Sequence, residues 1–177
     1  AIADQCPAVR YVTPYAFRPV QVVAGDDNHA SNALGIRPDY FELRELEVAR
    51  GRRIDLEDEA AAAKRCVIGT SVAREVFGSQ DPIGHEIRLD ELNCEVVGLL
   101  VELGVSSFGT DQDDVILLPY ATFASRLQGN ENVATIMAAA RSEDRIDEAA
   151  EQIEKLLRER RHIRDGEEAD FSVRDMR

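Results

Sequence analysis

The side chains able to do chemistry are few and scattered. Three histidines, His29, His85 and His162, fall in a turn, at a strand start and at a helix end. A metal site or acid–base pair built from them has to be assembled wholly by tertiary structure, and solvated or helix-capping imidazoles are the default reading. The run Asp111, Gln112, Asp113, Asp114 places three carboxylates close enough to attract a hard cation. It lacks the ligand spacing, the glycine and the closing glutamate of an EF-hand loop. It reads instead as a solvated, charged loop and, since surface loops are where partners are met, as a candidate partner-contact segment. Cys6, Cys66 and Cys94 show no CxxC or other metal-ligand spacing. Their odd number leaves at least one thiol unpaired in a single chain, and free cysteine packs as a small apolar group. Cys66 and Cys94 both fall on predicted strands, but spacing does not establish a bond between them. A carboxylate pair can always be nominated among 34 acids, so nominating one carries no information. No GxSxG, HExxH or GxxxxGK(S/T) is present. The residues make no case for an enzyme, and they imply no catalytic residue, cofactor or metal.

The elements that would position these residues centre on residues 67–102. An apolar entry at 66–68 runs into Gly69 and a Thr70–Ser71 pair suited to capping a short helix, whose Val72 and Val76 share a face and which stops at Gly78. Asp81-Pro82-Ile83-Gly84 has turn chemistry. Ile87 and Leu89, then Cys94 and Val96, alternate as half-buried strands around a polar break at 90–93. Upstream, a helix tail at 2–8 precedes a strand over residues 9–23, with Tyr11, Thr13, Tyr15 and Phe17 on one side and Pro14 and Pro19 marking an edge or bulge. A hairpin turn at 25–28 leads to a strand over 30–36 and a helical turn over 40–43. Residues 46–53 form a mixed segment closed by Gly51, and a helical turn follows at 58–63, with Asp55 placed to cap it. Downstream, 104–114 reads as a loop. A strand follows at 115–118, stopped by Pro119, then a helix over 120–127 and a strand over 133–140. An amphipathic helix spans 143–161 with Ser142 as its N-cap, and a last strand is expected over 169–174. Glu151–Lys155 and Glu154–Arg158 are helix-stabilising i,i+4 pairs.

A chain of 177 residues with a 44% hydrophobic share can bury a substantial core, and no apolar run reaches the roughly 20 residues of a membrane span. The formal net charge of −13 argues against a nucleic-acid partner, which calls for clustered Lys and Arg, and it favours solubility. The abrupt start and end suggest a piece of something longer.

Six stretches, taken in order, carry a resemblance: PAVRYVTP (7–14), GIRPDYFELRELEVARGR (35–52), VIGTSVAREVFGSQDPIGHEIRL (67–89), CEVVGLLVE (94–102), FGTDQDDVILLPYAT (108–122), and LLRERRHI with DFSVRD (156–175). Together they are similar to the extracytoplasmic core domain of ABC-type permeases of the MacB/FtsX-like class. The resemblance implies an α+β fold of two lobes. One is a β-α-β, porter-like lobe from both chain ends (1–33 and 119–177); the other is an inserted strand-rich lobe (34–118) with a short helix. It implies a periplasmic domain of a bacterial inner-membrane permease that couples cytoplasmic ATP hydrolysis mechanically to export or substrate extraction. The implied partners are its own transmembrane helices, a second permease copy, a periplasmic adaptor and a separate cytoplasmic ATPase domain. No catalytic residue carries over. Residues 103–107 depart from the more polar loop of close members, and the cysteines stand where ordinary apolar residues are expected. The competing readings are a free-standing periplasmic binding or scaffolding module, and an enzyme using the acidic loop and a histidine. Removing the exposed acids of the 111–114 loop is expected to alter partner binding and not stability.

Overall fold

Residues Val9–Ala24 form one long strand, β1, that takes part in both halves of the architecture. The computed structural model describes residues 2–128, 135–164 and 166–175. It divides into two compact units, Thr13–Thr135 and a terminal unit of Ala1–Val12 with Ile136–Arg177. The expected lobes drew their limits at 33/34 and 118/119. Here residues 13–33 and 119–135 group with the strand-rich unit, because β1 is hydrogen-bonded along Ala16–Ala24 to the strand that follows it.

In the larger unit, β1 turns at Gly25-Asp26 into β2 (Asp27–Ile36). The chain continues through α2 (Tyr40–Leu43), β3 (Val48–Gly51), α3 (Leu56–Ala60), β4 (Arg65–Ile68), α4 (Thr70–Phe77), β5 (Glu86–Leu89), β6 (Leu92–Leu100), β7 (Val115–Pro119) and α5 (Tyr120–Phe123), with a π-helical turn at Ala124–Gln128. β2 lies parallel to β7, β7 antiparallel to β4, β4 parallel to β6 and β6 antiparallel to β5. β5 returns to β1 at Val22 and Val23, so six strands close into a ring, with β3 added to β6. Closure removes the free edges that an open sheet would expose.

The alternation read from the sequence faces this ring. Val22, Cys66, Ile68, Ile87, Leu89, Cys94 and Val96 are buried in one core cluster, joined by Val72 and Val76 of α4 and Phe123 of α5. Gly35 lets α5 approach this closely: a Cβ there would lie 2.6 Å from that of Phe123. Both prolines of β1 find tolerant positions. Pro14 precedes the stretch paired with β2, and Pro19 faces Asn32 before β5 joins at Val22.

α3 starts at Asp55, whose carboxylate accepts from the Asp58 amide while Asp58 accepts from the Asp55 amide, a reciprocal capping box. The Asp58 side chain is fully buried and meets the guanidinium groups of Arg52 (2.6 and 3.1 Å) and Arg65 (2.7 Å). Burial works to raise its pKa, but the two arginines and the Asp55 amide win and hold it well below the usual carboxylate range. α4 departs from the expected capping. Its N-cap is Gly69, and Thr70 lies inside the helix with its hydroxyl buried and without a hydrogen-bond partner among the described residues.

The terminal unit holds α1 (Ile2–Gln5), the start of β1, its neighbour β8 (Thr135–Ala140) and α6 (Ile146–Arg160). Ile2, Cys6, Ala8 and Val9 pack against Ala149 and Leu156, and the Ala8 amide donates to the Gln152 side chain at 3.0 Å. Of the strand expected over 133–140, residues 133 and 134 lie outside the described residues. Ser142 stands before a 3-10 turn, Glu143–Arg145, but its side chain bonds the Asp144 carboxylate and caps no backbone amide. The strand expected over 169–174 does not form. Phe171 and Val173 are too few apolar groups to fill a strand face among acidic neighbours, and the segment is tied to the helix end by side chains instead. Arg158 donates to the Glu167 carbonyl and Arg161 pairs with Asp170.

Candidate functional site

The acidic run 111–114 closes the loop, residues 101–114, by which the chain leaves β6 and returns as β7, and of its carboxylates that of Asp113 points inward. Asp113 is buried, and its two oxygens accept from the backbone amides of Leu103 (2.8 Å) and Gly104 (2.7 Å), clamping the loop's exit to its entry. The Asp113 amide donates to Asp111 at 2.8 Å, and the other Asp111 oxygen accepts from the Ser71 hydroxyl of α4 at 2.7 Å. That hydroxyl, followed by the Asp113 amide, lowers the Asp111 pKa. Asp114 pairs with His29 of β2 at 2.9 Å, and the Gln112 amide donates to the Gly104 carbonyl at 3.1 Å. Gly69 is required here, since a Cβ at that position would sit 2.1 Å from the Asp113 carbonyl oxygen. Of the four residues expected to meet a partner, Asp111 alone is exposed; Gln112 and Asp114 are half-buried and Asp113 is buried. The expected solvated, charged loop is corrected for Asp113, which is buried, and in part for Asp114, while Asp111 remains exposed; all three carboxylates are engaged by donors of the protein.

The clamp presents large apolar side chains to solvent among its polar ones. An isolated bridge between Val105 and Asp111, and bonds from Ser106 N to Thr110 O and Gly109 N to Ser106 O (both 2.9 Å), shape the tip. Val105 is 68% exposed and Phe108 94%, with Leu103 at 46%. Sequence reasoning missed these residues. The available signal was Val101, Leu103 and Val105 at alternate positions, followed by Phe108, in a stretch with no core element to bury them.

Beside the loop lies a groove of about 340 Å³ on the outer face of β1, β2 and β7. Leu34, Leu100 and Leu117 line it, and so do Tyr15 and Tyr40, stacked with ring centroids 6.1 Å apart and planes within 12°. Burial pushes the Tyr40 hydroxyl up to about 12, against the opposing charge of Arg44.

The remaining reactive groups do not converge on a site. His85 lies against Phe77, with centroids 5.8 Å apart, and His162 adopts a left-handed conformation just after α6. Ser71 and His29 bind different carboxylates, so these hydrogen bonds form no Ser–His–Asp relay. Among the described residues no group of three or more His, Cys, Asp or Glu is placed to hold a metal ion. All three cysteines are buried and free. Burial raises the Cys6 and Cys66 thiols, and the Cys66 sulfur donates to the Glu95 carbonyl at 3.6 Å.

Comparison with known proteins gives a consistent family. A model of the MacB-like periplasmic core domain matches residues 1–156. The macrolide export ATP-binding/permease protein MacB of Chlorobium luteolum is 33% identical over 156 residues, covering 88% of this chain and 23% of that protein. The pyoverdine export ATP-binding/permease protein PvdT of Pseudomonas aeruginosa is 34% identical over 151 residues, covering 85% of this chain and 23% of that one. The chain thus spans under a quarter of the length of either relative. Among solved structures, the extracellular domain of the ABC-type transporter YknZ from Gram-positive bacteria superposes with a TM-score of 0.78 at 18% identity, over 92% of this chain and 83% of that one. The periplasmic region of MacB from Actinobacillus actinomycetemcomitans gives 0.77 at 20% identity, over 91% and 71%. At these identities the structures speak to the fold.

Proposed function

Since the chain belongs to the MacB-like periplasmic core domain family, we propose that it is the extracytoplasmic part of an ABC-type export permease, transmitting movement between membrane helices and a periplasmic adaptor. ATP is hydrolysed on a separate cytoplasmic domain, in keeping with relatives named as ATP-binding/permease proteins. Movement of the transmembrane helices, two copies acting as a pair, displaces this domain and drives export. The observation that carries the reading is the family match along residues 1–156, which covers the larger unit and part of the terminal one. No helix among the described residues is long and apolar enough to cross a membrane, so the spans the reading requires lie outside them.

The adaptor meets the loop at 101–114. Asp111, Gln112, Asp113 and Asp114 hold that loop in shape, and the contact itself falls on its apolar tip and the adjoining groove. Supporting this is the exposure of Val105 and Phe108 on a backbone clamped at both ends.

Reading the coding sequence on both sides of residues 1 and 177 tests the proposal. Apolar segments of about 20 residues close to each end are expected. A cleavable leader before the domain and a stop codon soon after it would overturn the permease reading and leave a free-standing module.

A further inference from the structure

The groove beside the loop has the form of a receptor for a side chain, and its surroundings set the charge of what enters. Its wall is made of Leu34, Leu100 and Leu117, and stacked Tyr15 and Tyr40 add a flat aromatic surface. A volume of about 340 Å³ holds one or two large side chains and excludes a folded element.

Acids dominate the rim. Asp111 is exposed and Asp114, paired with His29, half-buried at the loop side; nearby, Glu45 and Glu47 flank Leu46, another lining residue, and Glu102, exposed at the loop's start, pairs with Arg74 at 3.5 Å. The cation lining the groove, Arg44, hydrogen-bonds Tyr40. The wider field has the same sign. The unit Thr13–Thr135 holds 21 of the chain's 34 Asp and Glu but 11 of its 21 Lys and Arg, a formal charge of −10. A second copy would bring the same negative field against this rim, whereas a basic segment is steered toward it.

We propose that the groove receives an aromatic or leucine-like side chain from a partner-protein segment carrying Lys or Arg on both sides of that anchor. The inference rests on the docking part of the function proposed above and supplies the chemistry of the partner. Phe108, at the tip of the same loop, gives the partner a second apolar contact beyond the groove.

The test uses the whole chain and a fluorescently labelled, unstructured peptide with one phenylalanine flanked by lysines. Two controls replace either the lysines with glutamates or the phenylalanine with alanine. The lysine–phenylalanine peptide is expected to bind with Kd of about 10–100 μM, shifting the methyl resonances of Leu34 and Leu117. Both controls bind at least tenfold more weakly. Leu103→Ser and Phe17→Ser, at exposed positions lining the groove, also weaken binding tenfold without loss of folding. No binding up to about 1 mM, undiminished binding of the alanine control, or methyl shifts confined to other residues would overturn the proposal. So would concentration-dependent self-association that shifts the same methyls, which would give the groove to a second copy. The two readings fail separately. Missing flanking membrane segments sink the permease whatever the peptide does, while a failed peptide with those segments present sinks the basic-anchor proposal alone.

Discussion

Asp58 and Asp113 are both buried carboxylates in the same unit, yet they are neutralised in different ways and have different effects on the chain around them. Asp58 faces two guanidinium groups and an amide, from Arg52, Arg65 and Asp55, and ties the start of α3 to the segments leaving β3 and opening β4. Asp113 faces two backbone amides of its own loop. Charge answered by charge staples the scaffold. Charge answered by amides leaves no side chain to cover the loop, so the neighbouring residues are free to be apolar and exposed. The first arrangement makes a foundation and the second holds up an exposed loop.

Breaking the two sites should give unequal results. Asp58→Ala removes the acceptor shared by two arginines and is expected to cost about 3 kcal/mol in urea unfolding. The loss stays below the upper range for buried ion pairs because Arg52 and Arg65 are 42% and 44% exposed and regain water. Acid sharpens the same point. A carboxyl whose folded pKa lies below its unfolded value of about 4 contributes fully above that value and loses its contribution as pH falls toward the folded one. The stability gap between wild type and Asp58→Ala should therefore narrow below about pH 4, measured by urea unfolding at pH 6 and pH 3; a constant gap would contradict the assignment. Asp113→Ala comes next, at about 2 kcal/mol. Its distinguishing sign is local: amide exchange at Leu103 and Gly104 accelerates, while in Asp58→Ala those amides keep their protection. Asp113, being buried, stands apart from the loop's exposed acid, whose removal is expected to act on binding and not stability. Phe108→Ser should move stability least, within about 0.5 kcal/mol, while weakening capture of the partner in a pull-down.

Much of the local structure was legible because local chemistry determined it. The helical turn Tyr40–Leu43, the cap at Asp55 and the stop at Gly78 each depend on neighbours within a few positions. The long opening strand and the amphipathic face of Ile146–Arg160 were equally plain from periodicity. Ring closure was not legible. It rests on β2 lying beside β7 and β4 beside β6, pairings between distant segments that alternation cannot specify. The terminal segment failed for the opposite reason: two alternating apolar residues suggested a strand that no tertiary partner supports. At the candidate site, the position of the loop was readable and its orientation was not. Three acids in four residues look solvated until Ser71, His29 and two amides are brought to them by the fold.

The ring also has a fastening. β1 and β2 are laced together along Ala16–Ala24, whereas β1 and β5 meet only at Val22 and Val23. Asp90 secures that short join from the turn beyond β5. Its amide donates to the Gln21 carbonyl at 3.0 Å, its carboxylate accepts from the Gln21 amide at 2.9 Å, and it pairs with Arg18 at 3.4 Å. β4 and β7 meet over an equally short stretch, at Val67 and Ile68, so the barrel is a cuff with two short joins and Asp90 is the clasp on one of them. Strain on the cuff falls on these two joins before it reaches the long lacing of β1 to β2.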